Sequence, residues 1–239
     1  GEFANYLMGQ PNGPNGFPDI EGLGIPLDGM VSWHTDAGGD EFGQIGTLML
    51  WQLLDDQGDA TFPDGRSRWL NRDLSVYLME EMVRTARENF SSTWAKREHR
   101  ERGFGEIRRP NTPSAIIELL SHHNPNDMKY GLDPRFKKEI ARAVYKGLLK
   151  FVADSNGSDY VVQPLEPAWV EARHRGDGVV EINVELRQDP LEPTASADGF
   201  IVYQSEDGHA FDNGTMFTGT SAQISDIPEN ETTFFRVTA

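Results

Sequence analysis

Ser114-Ala115-Ile116-Ile117-Glu118-Leu119-Leu120 is a compact apolar run with a single carboxylate in its middle, and the polar Ser121-His122-His123-Asn124 follows it at once. A short apolar run closed by polar residues reads as a buried strand. Downstream, Asp133-Pro134 supplies an N-cap acceptor and a proline for the first helical turn. Phe136, Ile140, Val144, Leu148 and Phe151 then form an apolar stripe, which predicts a helix to about Ala153. Upstream, Leu70, Leu74, Tyr77, Leu78, Met82 and Ala86 recur at spacings of three and four, so a second amphipathic helix is expected over 69–90. Gly29-Met30-Val31-Ser32-Trp33 and the run from Ile45 to Leu53 read as further strands, the first of them buried. Strands alternating with amphipathic helices make this part α/β, an open sheet with flanking helices.

Beyond Asp154-Ser155-Asn156-Gly157-Ser158 the period changes from helical to alternating. Val179–Leu186, Phe200–Tyr203 and Thr232–Val237 read as strands, with turn signals at Asp177-Gly178, Asp198-Gly199, Asp207-Gly208 and Asn213-Gly214. That is the pattern of a small all-β sandwich. Two domains are expected, 1–158 α/β and 159–239 all-β. The turn-rich stretch from Gly9 to Pro18 holds neither helix nor central strand and reads as a loop.

The 239 residues carry 22 Lys and Arg against 38 Asp and Glu, a formal net charge of −16. An acidic chain is repelled by nucleic-acid backbones and anionic membranes, so neither is expected as the main partner. No apolar run approaches the length of a transmembrane helix. With no cysteine there is no disulfide, thiolate nucleophile or thiolate metal site.

His34 follows the first strand directly, and strand ends of open α/β sheets are where ligands bind. A neutral imidazole there is either a metal ligand or a group that only hydrogen-bonds its loop. Glu118 is costly among four aliphatic neighbours unless it has a partner. A bound cation, solvent on the other face of the strand, or an arginine such as Arg108 would each answer that cost. Of the adjacent His122 and His123, one could be a ligand or a transition-state donor; the alternative is a polar loop in which Asn124 and Asp127 make turn hydrogen bonds. The basic stretch Lys96 to Arg109 reads mainly as a solvated face, with an anionic substrate as the alternative. His99, His174 and His209 lie in polar contexts and carry no assigned role.

Val31-Ser32-Trp33-His34-Thr35-Asp36-Ala37 resembles the Ser-x-His-x-Asn-Ala strand end of zinc-dependent N-acetylmuramoyl-L-alanine amidases. Pro113–Leu119 with Asn124 and Asp127 resembles their Pro-x-x-Leu-x-Glu…Asn-x-x-Asp segment, and Gly131–Phe136 with Ile140-Ala141 and Lys146-Gly147 resembles their terminal helix. The three segments stand in the family's order. The resemblance implies a hydrolase of the N-acetylmuramoyl-L-alanine amide bond in peptidoglycan, secreted, periplasmic or at the cell surface. It implies zinc held in part by His34, Glu118 as the catalytic carboxylate, and His122, Asn124, Asp127 and Asp36 shaping the site. The family takes two further zinc ligands, from a Gly-His-Gly-Gly strand end and the next helix, and neither motif stands before His34. The expectation is therefore an α/β domain whose N-terminal part lies elsewhere, or an incomplete site. Two other readings stay open: a non-catalytic cell-wall or carbohydrate-binding protein on a degenerate amidase scaffold, and a zinc exopeptidase. Residues 160–239 resemble a fibronectin type III module, through Pro167-Ala168-Trp169, Gly199–Tyr203 and Phe235–Ala239, with the last strand expected to be missing.

Overall fold

The structure is a computed structural model that describes residues 1–11, 20–37, 43 and 46–239. Asn12 to Pro18 of the expected loop, Gly38-Gly39-Asp40 after His34, and Ile45 lie outside the described residues. The chain divides into two compact units, Gly1–Asp159 and Tyr160–Ala239.

The first unit runs α1 (Glu2–Leu7), β1 (Met30–Asp36), β2 (Thr47–Trp51), α2 (Leu70–Asn89), β3 (Lys96–Glu101), α3 (Gly105–Arg108), β4 (Ser114–Ser121), α4 (Pro125–Gly131) and α5 (Pro134–Asn156). Its four strands form one mixed sheet in the order β1-β4-β2-β3. β1 lies parallel to β4, β4 antiparallel to β2, and β2 parallel to β3.

α2 and α5 cover one face of this sheet. The core there joins Leu74, Leu78 and Met82 of α2 to Phe136, Ile140 and Val144 of α5, over Ala115, Ile117 and Leu119 of β4. α5 starts as its sequence dictates: the Asp133 side chain accepts from the Arg135 N–H, and Pro134 takes the first turn. Gly147 lets the two helices meet closely, because a Cβ there would lie 3.0 Å from the Leu78 Cα. Between them Glu81 is buried with the ammonium groups of Lys146, at 3.7 Å, and Lys150, at 3.0 Å. A carboxylate buried in such surroundings is tolerated because the opposite charges repay its desolvation.

The other face is thinly covered. Ile116 of β4 and Leu48 and Leu50 of β2 make a small apolar cluster with Ile107, which comes from the single turn of α3. Side chains alternate along β4, so Glu118 shares that face with Ile116. The alternation ends at Leu120, whose φ of 67° turns it into the same core as Leu119.

The apolar run at Gly29–Trp33 corrects one expectation. It forms a strand, but β1 pairs only with β4 among the described residues, and Trp33 is 46% exposed. An edge position exposes what a central strand would bury. Lys96 to Arg109 spans two elements: its first six residues are β3 and four of its last are α3, and its basic residues are exposed or half-buried. No helix of the described residues is long and apolar enough to cross a membrane.

The second unit contains β5 (Trp169–Gly176), β6 (Val179–Glu185), β7 (Gly199–Ser205), β8 (Thr215–Thr218), β9 (Ser221–Ile224) and β10 (Phe234–Thr238). They make two three-stranded antiparallel sheets, β10-β7-β8 and β5-β6-β9. Alternate residues of both sheets meet in one core, where Val180, Ile182 and Val184 face Phe200 and Val202.

Candidate active site

His34 and Glu118 are Cα partners across the parallel pair of β1 and β4. Parallel register neighbours project from the same face. Ser32 and Asp36 share it by alternation along β1. The thinly covered face of the sheet thus carries a hydroxyl, an imidazole and two carboxylates at the end of two strands.

Two side chains from elsewhere complete the group. Glu106 of α3 places Oε2 2.9 Å from His34 Nε2, and the Ser32 hydroxyl donates to the same carboxylate. Arg97 of β3 reaches across the sheet and donates to Asp36 Oδ2 at 2.6 Å. Neither was singled out from sequence. In the sequence Arg97 is one of several cations in a basic run, and Glu106 sits in a four-residue helix too short to show a period. Glu106 is one of three glutamates in that basic run, and nothing in the sequence sets it apart from Glu98 and Glu101.

Electrostatics separate the two glutamates. Burial pushes the Glu118 carboxyl above the usual carboxylate range, the charges of Asp36 and Glu106 push it the same way, and His34 and Arg97 oppose them. Among the described residues no hydrogen bond or ion pair satisfies that carboxyl. Glu106 is held below the usual range, first by the Ser32 hydroxyl and then by His34. Glu118 is therefore the carboxyl with free lone pairs, while Glu106 is a committed acceptor. Arg108, the partner considered for Glu118, instead pairs with Asp56.

The segment after β4 divides. His122 meets Thr35 Oγ1 through Nδ1 at 3.1 Å, next to His34 along β1, and its ring stacks edge-on against His123. Asn124 caps α4, accepting from the N–H groups of Asn126 and Asp127. Asp127 is fully buried and accepts from the Ser121 N–H at 2.9 Å. Asn124 and Asp127 thus fix the turn that ends β4, and His122 reaches β1.

Zinc does not fit the side chains described here on their own. A catalytic zinc takes three protein ligands and a water. His34 Nε2 is already engaged by Glu106, and among the described residues no group of three His, Asp or Glu side chains can hold a metal ion.

The sequence profile described as N-acetylmuramoyl-L-alanine amidase matches residues 27–150, just over half of the chain. The chain belongs to the N-acetylmuramoyl-L-alanine amidase family. The match takes in the amidase-family strand end at His34, the Glu118 strand and most of α5. Among solved structures, the CwlD amidase from Clostridioides difficile, in complex with the GerS lipoprotein, is 23% identical with a TM-score of 0.42, over 53% of this chain and 55% of that one. The N-acetylmuramoyl-L-alanine amidase from Clostridium difficile 630 is 17% identical with a TM-score of 0.43, over 55% and 60%. AmiC2 of Nostoc punctiforme is 16% identical with a TM-score of 0.41, over 52% and 57%. The amidase-family chain thus spans a little over half the length of these proteins. No protein of curated function matches it.

Proposed function

We propose that the protein hydrolyses the amide bond between the lactyl group of muramic acid and the first alanine of the peptidoglycan stem peptide, outside the cytoplasm. Family membership supports the reaction class. The observation that carries the residue assignment is the register of His34 against Glu118, which sets a partly desolvated carboxyl, without a hydrogen-bond partner among the described residues, beside an oriented imidazole.

In this reading Glu118 is the catalytic base. Water adds to the amide carbonyl carbon and Glu118 takes its proton. The C–N bond then breaks, and Glu118 returns the proton to the leaving nitrogen. The products are a lactyl carboxylate and the free amine of the alanine. Zinc, which the family resemblance implies, would polarise the carbonyl. His34 is the one residue assigned to it, and the two further ligands it needs are not supplied by the described side chains. The all-β unit, read as a fibronectin type III-like module, would serve as a spacer or docking surface beside the hydrolase.

The test is release of soluble stem peptides from purified sacculi by the full-length protein. Release should be lost in Glu118→Gln, and an unchanged rate in that variant removes Glu118 from the reaction. That no group of three metal donors stands among the described residues favours a second reading, a non-catalytic cell-wall binder. That reading expects co-sedimentation with sacculi and no release by the wild type.

A further inference from the structure

We propose that Glu106 belongs to the working site as the positioning residue of His34, and that Arg68 and Asp56 hold it there. The inference rests on the reading of Glu118 as the catalytic base beside His34 and adds to it three residues from another part of the chain.

α3 is a single turn, far too short to hold itself. Its own anchor is Ile107, fully buried against Leu48, Leu50 and Ile116. The rest comes from the loop before α2. Arg68 is 1% exposed, and its guanidinium donates to three carbonyls at and just after the end of α3: Ile107 at 3.2 Å, Arg108 at 2.7 Å and Pro110 at 3.3 Å. The Phe62 ring lies beneath it, 4.7 Å from the guanidinium carbon to the ring centre. Burying a charge with no carboxylate in contact is expensive. What the burial achieves is to satisfy the carbonyls that α3 and the residues after it leave open. Asp56, from the same loop, pairs with Arg108 and accepts from Arg109 Nε at 3.0 Å. The C-terminal end of α3 is thus tied to one loop, and the residue next to the part it grips is Glu106.

Glu106 does not spend that position on packing. Its side chain is 44% exposed and the His34 ring 42% exposed, yet they meet at 2.9 Å with the Ser32 hydroxyl on the same carboxylate. A carboxylate that accepts from one ring nitrogen fixes both the tautomer and the orientation of an imidazole. Here it holds the proton on Nε2 and sets the ring's pose beside Glu118. Removal of such a partner typically costs ten- to a hundredfold in the function of the histidine.

The experiment is nitrogen-15 NMR of the histidine rings in the whole chain at pH 8, where an ordinary imidazole is neutral. Wild-type His34 should show the Nε2–H tautomer as its main form. Glu106→Ala should turn it into a mixture, and Glu106→Gln, whose amide oxygen still accepts, should restore the Nε2–H form. Asp56→Asn and Arg68→Met should move His34 in the direction of Glu106→Ala. His99, bonded to Ser75 on the opposite face of the sheet, is the internal control for folding. Should Arg68→Met disturb His99 as well, Asp56→Asn decides alone. A wild-type His34 signal in Glu106→Ala, or in Asp56→Asn, overturns the proposal. On sacculi Glu106→Ala should lower kcat about tenfold, and an unchanged kcat beside a shifted tautomer reduces Glu106 to a structural contact and also overturns it. Because the NMR result needs no turnover, an inactive wild type would count against the amidase reading and leave the His34–Glu106 pair to be judged by its spectrum.

Discussion

His34 and Glu118 stand opposite each other in the parallel ladder of β1 and β4, and both leave the sheet on the face that, among the described residues, α3 covers. Two neighbouring strands thus deliver an imidazole and a carboxyl to one place with no loop to position either. Glu118→Gln keeps the shape and removes the charge. A lost general base lowers the rate by about 10²–10⁴-fold. Thermal stability should not fall, since burial already disfavours the charged form at this position. Rate and melting temperature measured on one preparation check both halves. A variant that melts well below the wild type would mean that the carboxylate has a structural partner.

The elements around this pair differ in how well the sequence announces them. α5 is announced by chemistry local to its own start: Asp133 as the cap, Pro134 in the first turn, and an apolar stripe on one side. β4 is announced by its composition. The edge position of β1 is not, because an apolar run tells that a strand forms and not which strands flank it. Glu106 is hidden more deeply. It lies 72 positions from His34, in one turn of helix, and its role depends on carbonyls gripped by Arg68, about 40 positions away. Arg97 meets Asp36 across 61 positions in the same way. Spacing along the chain carries no trace of contacts made only by tertiary packing.

Arg97 should set the acid limb of the pH profile. Glu118 works ionised as a base, and its carboxyl titrates above the ordinary carboxylate value of about 4.3. Arg97 favours the ionised form directly and also neutralises Asp36, which opposes it. Arg97→Gln removes both effects, and both losses raise the pKa of Glu118. The acid limb of kcat/KM should therefore move to higher pH in Arg97→Gln and to lower pH in Asp36→Asn. Limbs that move together, or in the opposite sense, would remove these two residues from the electrostatics of Glu118.

His99 makes a prediction about stability that is independent of catalysis. Burial lowers its pKa, with the Lys96 and Arg72 charges adding to that and Glu80 opposing. The folded state therefore prefers the neutral ring, whose Nδ1 meets Ser75 Oγ at 3.1 Å. Unfolded, the same ring takes up a proton near pH 6.5. Below that value the unfolded chain binds more protons, so stability falls as the pH drops toward the lowered folded value. Urea unfolding at pH 7.5 and 5.5 should show a smaller loss in His99→Gln than in the wild type. Equal losses would mean that the ring titrates alike in both states.

Gly147 fixes how near α5 comes to α2, and so how the helices carry the sheet beneath the site. An alanine Cβ there would stand 3.0 Å from the Leu78 Cα and 3.1 Å from the Tyr77 carbonyl oxygen. Both are backbone atoms, and Leu78 is fully buried, so neither can give way locally. Overpacking of this kind costs about 1–3 kcal/mol, against a gain of about 1 kcal/mol from replacing glycine inside a helix. The clash wins because relief requires moving one whole helix off the other. Gly147→Ala should therefore lower the melting temperature by about 2–4 °C, which is the shift about 1 kcal/mol produces in a unit of this size. A melting temperature above that of the wild type would show that the helices separate at little cost and that the glycine is not what sets their distance.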